Sequence, residues 1–530
     1  MQRRHFLAAA TWPLLGCSQP GEITGGFTGQ DPARGHRLRD ATAWPAPTVT
    51  HNTEVLIAGG GVAGLAAARA LQLRGREDFA LLELEDEVGG NSRGTQMGGI
   101  ACPLGAHYLP LPSDDAPEVQ DLLEELGLRQ RVAGRWVYAE RHLCHSPQER
   151  LFFNGEWQDG LLPLNGVSPH TLSQYRQFSA LVAQARQAVH WRIPVSKWPP
   201  AGESIALTAI TFEAYLNQNG LTDPHLRWYL NYCCRDDYGA GISVVSAWAG
   251  LHYFASRHGF AAPGDQTREH EGLLTWPEGN AWLTRRLAAP LKERLHTGRI
   301  VLRIAQLKHG VEVDAFSLAT QQLERWRARR VIVALPVFIA ARVVQNAPDF
   351  VRQAAQRTVY APWLVANLHI KAPLHDRPGA APSWDNVIYS ATPSAGGLGY
   401  VDASHQSLMS VPGATVLTYY RALGDVPGGP AAGRRQLLDK PWSAWRDETL
   451  AELSVAHPDL VGKTTRMEFT RYGHAMAVPV PRPLAIPSVG SEKNGGVFER
   501  LSFAHSDWAG YSVFEEAFTL GHEAGSRAAR

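Results

Sequence analysis

Three glycines carry the first chemical signal in this chain. In "EVLIAGGGVAGLAAARAL", Gly59, Gly61 and Gly64 stand at G-x-G-x-x-G spacing between an apolar run and a helix-forming one. The first permits a tight turn, the second lets a pyrophosphate approach the backbone, and the third lets helix and strand pack closely. An ordinary strand-to-helix turn has the same look, so the context decides. Glu83 closes the next apolar run, "FALLELE", at the distance where a carboxylate binds a ribose 2′-hydroxyl and disfavours a 2′-phosphate. With the first-turn amides of Val62 and Ala63, these residues predict a dinucleotide site. A second cluster lies in "YLNYCCRDDYGAGISVVSAWAGLHYFASRHG". Asp236 and Asp237 are placed to attract a cationic substrate, with Tyr232, Trp248 and Tyr253 as pocket walls. The alternative is that Arg235, Asp236 and Asp237 cap a helix and pair locally. Vicinal Cys233 and Cys234 read as packed thiols rather than a redox pair.

Positioning these groups requires a βαβ start at Glu54, and strand signals return in "RIVLRIAQLKHGVEV" and "ARRVIVALP". The chain closes on a strand, loop and helix in "LSFAHSDWAGYSVFEEAFTLGHEAG". The reading is an α/β fold: a discontinuous Rossmann-like domain from 51–115, 291–340 and 455–530, and a mixed α+β substrate domain from 116–290 and 341–454. "SQYRQFSALVAQARQAV" has helical spacing within the second.

At 530 residues two packed domains are expected. Lys plus Arg (51) balance Asp plus Glu (50), which leaves no field for nucleic acid. The five cysteines show no paired metal spacing and no haem-attachment motif, and neither a Ser-His-Asp order nor a nucleophile elbow appears. At the start, Arg3 and Arg4 precede a short apolar stretch and "LLGC". This resembles a twin-arginine export signal over 1–17 ending in a lipobox, an ordinary amphipathic N-terminus being the alternative. The resemblance implies a periplasmic protein anchored by lipid at Cys17, with Ser18 favouring the outer membrane, and 18–50 as tether. The twin-arginine route carries folded proteins, often around a cofactor.

After Glu83 the chain reads "LEDEVGGNSRG", and here it resembles the FAD-containing amine oxidase superfamily, whose second strand ends in Glu followed shortly by a Gly-Gly turn. That resemblance lays Gly89 and Gly90 along the flavin's pyrophosphate and ribityl chain. The family's arginine directly after the two glycines is Asn91 here, and an arginine comes only at Arg93. "PLGAHYL" resembles the segment beside the flavin ring, assigning Gly105, Ala106 and His107. "ARRVIVALP" resembles the strand under the adenosine, with Ile304 of the preceding hairpin at the adenine-contact position. "FAHSDWAGYSVFEEAFTLGHEAG" resembles the closing motif, which implies Asp507 as ribityl ligand, Val513 leading into a helix, and a helix dipole favouring negative charge on reduced flavin.

The family lines its pocket with aromatics, for which Trp508, Tyr511 and Tyr472 are candidates, with ordinary core packing as the alternative. His505 is placed to hydrogen-bond flavin or substrate, a satisfied structural histidine being the alternative. The family's flavin-side lysine, six residues before Lys371, is Val365 in this chain. Because that lysine is linked with oxygen reactivity, a dehydrogenase feeding a quinone or cytochrome stands beside an oxidase feeding oxygen. No second Gly-rich βαβ unit is present, so substrate is expected to reduce the flavin directly. The resemblance implies oxidation of a small-molecule amine, such as a polyamine, by hydride transfer to FAD. Desaturation or oxidation of an isoprenoid or porphyrin-like compound is the alternative chemistry, and a flavin-binding lipoprotein without turnover the alternative class.

Overall fold

A computed structural model describes residues 22–530, except 41–43, 146, 198–199, 201, 203, 265–271, 391–395, 408–410, 483–496 and 499. The stretch read as an export signal, Cys17 included, lies outside the described residues.

The nucleotide half is built on a sheet ordered Leu295–His296, Phe79–Leu82, Val49–Ala58, Gln322–Val333, Gly310–Ser317 and Arg299–Leu307, with Leu501–Phe503 also paired to Gln322–Val333. Val49–Ala58 runs parallel to both Phe79–Leu82 and Gln322–Val333, which itself runs parallel to Leu501–Phe503. The strand interiors are apolar on both faces (Leu56, Ile57, Leu81, Val331, Ile332), as a sheet covered by helices requires. Its covering helices are Val62–Gln72 and Phe514–Ala528. They meet where a Cβ on Gly521 or Gly525 would come within 2.1 Å of the Ala63 carbonyl or 2.3 Å of that of Ala67, an approach open only to glycine.

The second half carries an eight-stranded sheet ordered Thr24–Thr28, Thr464–Val478, Val359–Ile370, Thr415–Ala422, Tyr400–Asp402, Asp385–Ile388, Glu149–Phe153 and Glu156–Asp159. Helices Pro169–Ala188, Phe212–Gln218, Pro224–Tyr238 and Ala247–Tyr253 pack an aromatic core against one face. Ser168 caps the first and Asp223 the third, each side chain accepting from first-turn amides.

Two boundaries differ from the sequence reading. Residues 18–50 are not a plain tether. Thr24–Thr28 adds in parallel to Thr464–Val478, and helix Pro32–Asp40 latches onto the nucleotide half through Arg34, 2.7 Å from Asp86, and through Arg342, which donates to the Leu38 and Arg39 carbonyls. Gly and Thr there serve strand addition, where composition alone suggested a linker. Thr464–Val478, assigned to 455–530 of the nucleotide domain, belongs instead to the second sheet, pairing along Val359–Ile370. A strand of fifteen residues shared between two neighbours leaves no local sign of which domain owns it.

Candidate active site

The C-terminal ends of Val49–Ala58, Gln322–Val333 and Leu501–Phe503 lie side by side at one edge of the sheet, the place where such sheets bind ligands. Gly59 has φ +106°, and a Cβ there would lie 2.3 Å from the Ala334 carbonyl. On Gly64 it would lie 1.9 Å from the Gly59 carbonyl. On Gly61 it would meet nothing within 4 Å, so the backbone there fronts open space at the start of a helix that no side chain caps. Gly89 and Gly90, both with positive φ, turn back against this loop: the Gly89 amide donates to Gly60, and a Cβ on Gly90 would lie 3.3 Å from the Gly61 Cα. Glu83 is buried, its carboxylate accepting from the Gly60 and Glu85 amides at 2.8 Å each. Burial raises its pKa, against the pull of those amides.

Arg93 is buried, and its Nε donates to the Gly90 carbonyl at 3.3 Å. Its Nη2 has no partner among the described residues. An unpaired buried guanidinium nitrogen beside a glycine cradle and an uncapped helix N-terminus fits a pyrophosphate-bearing dinucleotide. Asn91, in the family's arginine position, instead donates to the Ala475 carbonyl at 2.6 Å.

Several assigned contacts come out differently. Ile304 is fully enclosed, paired with Val313 and bridged to Val344, and leaves no surface for an adenine. Asp507 is buried with its carboxylate taken by protein: Oδ2 accepts from the Val337 amide (3.0 Å) and the Tyr360 hydroxyl (2.6 Å), and Oδ1 lies 3.2 Å from His505 Nδ1. Burial would raise its pKa, but His505, Tyr360 and the amide outweigh it and hold the carboxyl below its usual range. Asp507 thus ties the Leu501–Phe503 strand end to both halves, while His505 stays about a quarter exposed.

Val513 precedes helix Phe514–Ala528, whose first turn carries two buried acids. Glu515 pairs with Arg257 at 2.7 Å, and Glu516 accepts from the Val195 and Ser196 amides. Their carboxylates meet the helix dipole expected to face the flavin. Trp508 packs on Phe503 and Phe350 in the nucleotide-half core, and Tyr511 donates to Asp237 at 2.9 Å beside Tyr238 and His252. Both are core residues rather than pocket walls.

Tyr472 does stand at the predicted segment, donating to the Leu104 carbonyl at 2.8 Å. Sequence reasoning missed its neighbour Tyr420, which donates to the Gly105 carbonyl at 3.0 Å and stacks on His107 with centroids 4.4 Å apart. Trp384 (5.4 Å) and Tyr108 (5.0 Å) flank the same imidazole, and Trp363 adds an edge to Tyr420. Burial lowers the His107 pKa to about 3, so the ring is neutral. Val365 is buried on the same face, cross-strand from Tyr420. No pattern marks Tyr420 or Trp384 in the sequence, since strand alternation brings them in from distant segments.

Acidic side chains gather close to this aromatic cluster, with Asp236 and Asp385 both near Tyr420. Asp385 and Glu149 are register partners on adjacent parallel strands. Asp236 faces the same space from the last turn of helix Pro224–Tyr238. Asp236 and Asp385 lie deep in the fold, and they and Glu149 each keep some accessible surface. Acids in a last turn oppose the helix dipole. Asp237 is compensated by Tyr511 and by the field of Arg257. Among the described residues, no hydrogen bond or ion pair reaches the carboxyl of Asp236. Burial, with Asp237 and Glu149 nearby, pushes its pKa up to about 7, and burial beside Asp236 and Glu149 drives Asp385 well above the carboxylate range. Arg235 turns away to Asp425 and the Gly396 and Ala422 carbonyls. The vicinal thiols are free, buried and raised by burial.

A family model described as flavin containing amine oxidoreductase matches residues 62–425. Among curated proteins, a Baeyer-Villiger monooxygenase of Penicillium patulum is 31% identical over 141 residues, 26% of this chain and 22% of that protein. Protein anon-37Cs of Drosophila lebanonensis is 34% identical over 86 residues, 16% of each. The chain thus spans about a fifth of the length of these curated relatives. Among solved structures, putrescine oxidase bound to putrescine is similar with TM-score 0.65 and 17% identity, covering 90% of this chain and 99% of that one. Cyclohexylamine oxidase from Brevibacterium oxydans gives TM-score 0.60 at 18% identity with the same coverage, and a fatty acid isomerase from P. acnes 0.61 at 17%, covering 90% and 98%. At these identities the structural likeness is one of fold. The glycine cradle, the buried arginine and a family match over most of the chain converge: this protein belongs to the flavin containing amine oxidoreductase family, and its cofactor is FAD.

Proposed function

We propose that the protein oxidises a di- or polyamine, holding the amine under attack beside the Gly105–His107 segment and a second ammonium at the acidic wall. The carrying observation is the pairing of Asp385 with Glu149, faced by Asp236, in a chamber walled by Tyr420, Trp384 and Tyr108. FAD supplies the hydride acceptor when bound. The chain's own contribution is placement. Asp236 and Asp385, both raised by burial and then by neighbouring carboxylates, cannot both ionise unaided, and a cation beside them restores their charge. Aromatic faces receive the methylene chain and its ammonium end. Neutral His107 adds no positive charge to repel the substrate. Tyr472 and Tyr420 fix the Leu104 and Gly105 carbonyls, and so the floor on which the reacting carbon rests.

Val365 in the lysine position supports a dehydrogenase that passes electrons to a quinone or cytochrome rather than to oxygen. The arginine pair and Cys17 support export by the twin-arginine route and a lipid anchor on the periplasmic side, the outer membrane being favoured by Ser18. Turnover of putrescine, a longer polyamine and a simple alkyl monoamine, each with oxygen and with a quinone acceptor, tests the reading. Equal kcat/KM for monoamine and diamine would remove the role of the acidic wall.

A further inference from the structure

The hairpin of Arg129–Val132 and Arg135–Tyr138 belongs to neither large sheet. It concentrates exposed apolar area: Val132 is 50% exposed, Trp136 45% and Val137 36%. Its sequence, "RQRVAGRWVY", holds three arginines and no acid in a chain of net charge +1. The register puts Arg131 opposite Trp136 on one face, and Val137 and Val132 with Arg135 on the other. Trp136 is held in place. The Arg129 guanidinium lies 3.8 Å from its ring centroid and that of Arg131 5.9 Å, while Arg129 is itself buried and paired with Glu124 at 2.7 Å. The turn is tight, with Ala133 at φ 48° and Gly134 at φ 82°, so the tip is preformed.

With an indole on one face, two valines on the other and guanidiniums on both, the hairpin matches a tip entering the boundary of a bilayer edge-on, where rings sit at headgroup depth, aliphatic groups go beneath, and cations meet phosphates. We propose that this hairpin docks the protein on an anionic lipid surface. The attraction is local, because the molecule as a whole is nearly neutral. It is separate from acylation at Cys17 and from the amine reading, neither of which involves these residues.

The test uses the full FAD-loaded chain carrying Cys17→Ser, sedimented with vesicles of phosphatidylcholine alone or mixed with phosphatidylglycerol. The protein is expected to partition onto the anionic vesicles, to stay largely free of the neutral ones, and to be released by salt. Arg131→Gln and Arg135→Gln each lower the partition about fivefold, and Trp136→Ser with Val137→Ser releases the protein, with flavin absorbance unchanged in all. Brominated acyl chains quench tryptophan emission of the parent, and Trp136→Phe abolishes that quenching while binding persists. Failure to bind phosphatidylglycerol vesicles, equal binding to neutral ones, or unaltered binding by the variants would overturn the proposal.

Discussion

Asp236→Asn keeps the size of the side chain and removes one carboxyl from the acidic wall. An ammonium about 5 Å from a carboxylate at an effective dielectric of about 20 is stabilised by roughly 3 kcal/mol. Near pH 7 the Asp236 carboxyl is only about half ionised, since burial raises its pKa to about 7. The bound ammonium draws the un-ionised fraction into the charged form at a cost of only RT ln 2, roughly 0.4 kcal/mol, so the loss is about 2.5 kcal/mol, somewhat under a hundredfold in KM for a diamine. A monoamine of similar length, with no distal charge, should change by less than about twofold on the same scale. The sign with pH follows. Below pH 7 Asp236 is protonated and the wall holds less charge, so the diamine-to-monoamine ratio of kcat/KM rises as pH climbs through that value. The ratio cancels deprotonation of the attacked amine, which both substrates share. In Asp236→Asn the step in the ratio flattens. Asp237→Asn is the control: its carboxyl is committed to Tyr511, so the variant loses stability rather than discrimination. The assay is steady-state turnover of both amines from pH 5.5 to 8.5. An equal rise in KM for both substrates, or a ratio that ignores pH, would refute the reasoning.

Other outcomes follow from the same geometry. Gly64→Ala sets a Cβ 1.9 Å from the Gly59 carbonyl, forcing helix from strand at about 3 kcal/mol; purified protein should show a lowered Tm and a lowered ratio of flavin to protein absorbance. Asp507→Asn disturbs the bonds to Val337, Tyr360 and His505 and should cost about 2 kcal/mol. Because the folded carboxyl sits below its usual range, its stabilisation is present above the ordinary carboxylate pKa and lost as pH falls through the folded value, so denaturant midpoints measured at acidic pH should decline less steeply in the variant. His505→Ala should weaken FAD binding, followed by fluorescence titration of apoprotein, and should lower Tm less than Asp507→Asn does, since it removes one of the three groups on that carboxylate. Val365→Lys restores a cation on the chamber face, and stopped-flow reoxidation by dissolved oxygen should quicken relative to the parent.

The glycine turn was legible because it is local. Gly59, Gly61, Gly64 and Glu83 act through backbone conformation and close approach within thirty residues, which residue type and spacing encode directly. Arg93 was legible for a similar reason, being tied to the Gly-Gly turn. The closing motif misled at Asp507, because an acid at the expected place says nothing about which donors surround it. Here the Val337 amide and Tyr360 hydroxyl arrive from segments far away in the chain. Trp508 and Tyr511 show the same limit: aromatic residues serve core and pocket alike, and only their partners separate them, Phe503 and Phe350 for one and Asp237 for the other. Asp236 was visible as an acid beside aromatics, but its partners Asp385 and Glu149 meet it only through strand pairing. The strand Thr24–Thr28 was hidden by its glycines, which ordinarily weaken a strand and here allow the edge to lie close on Thr464–Val478.

The most direct measurement is the visible spectrum of the FAD-loaded protein under anaerobic conditions on addition of putrescine or a longer polyamine. The account predicts loss of the oxidised flavin bands at micromolar to millimolar amine, slower return of colour on admitting air than on adding a quinone, and little bleaching by a short monoamine. Oxidised bands that persist with every amine, or that bleach only with an apolar polyene, would contradict it.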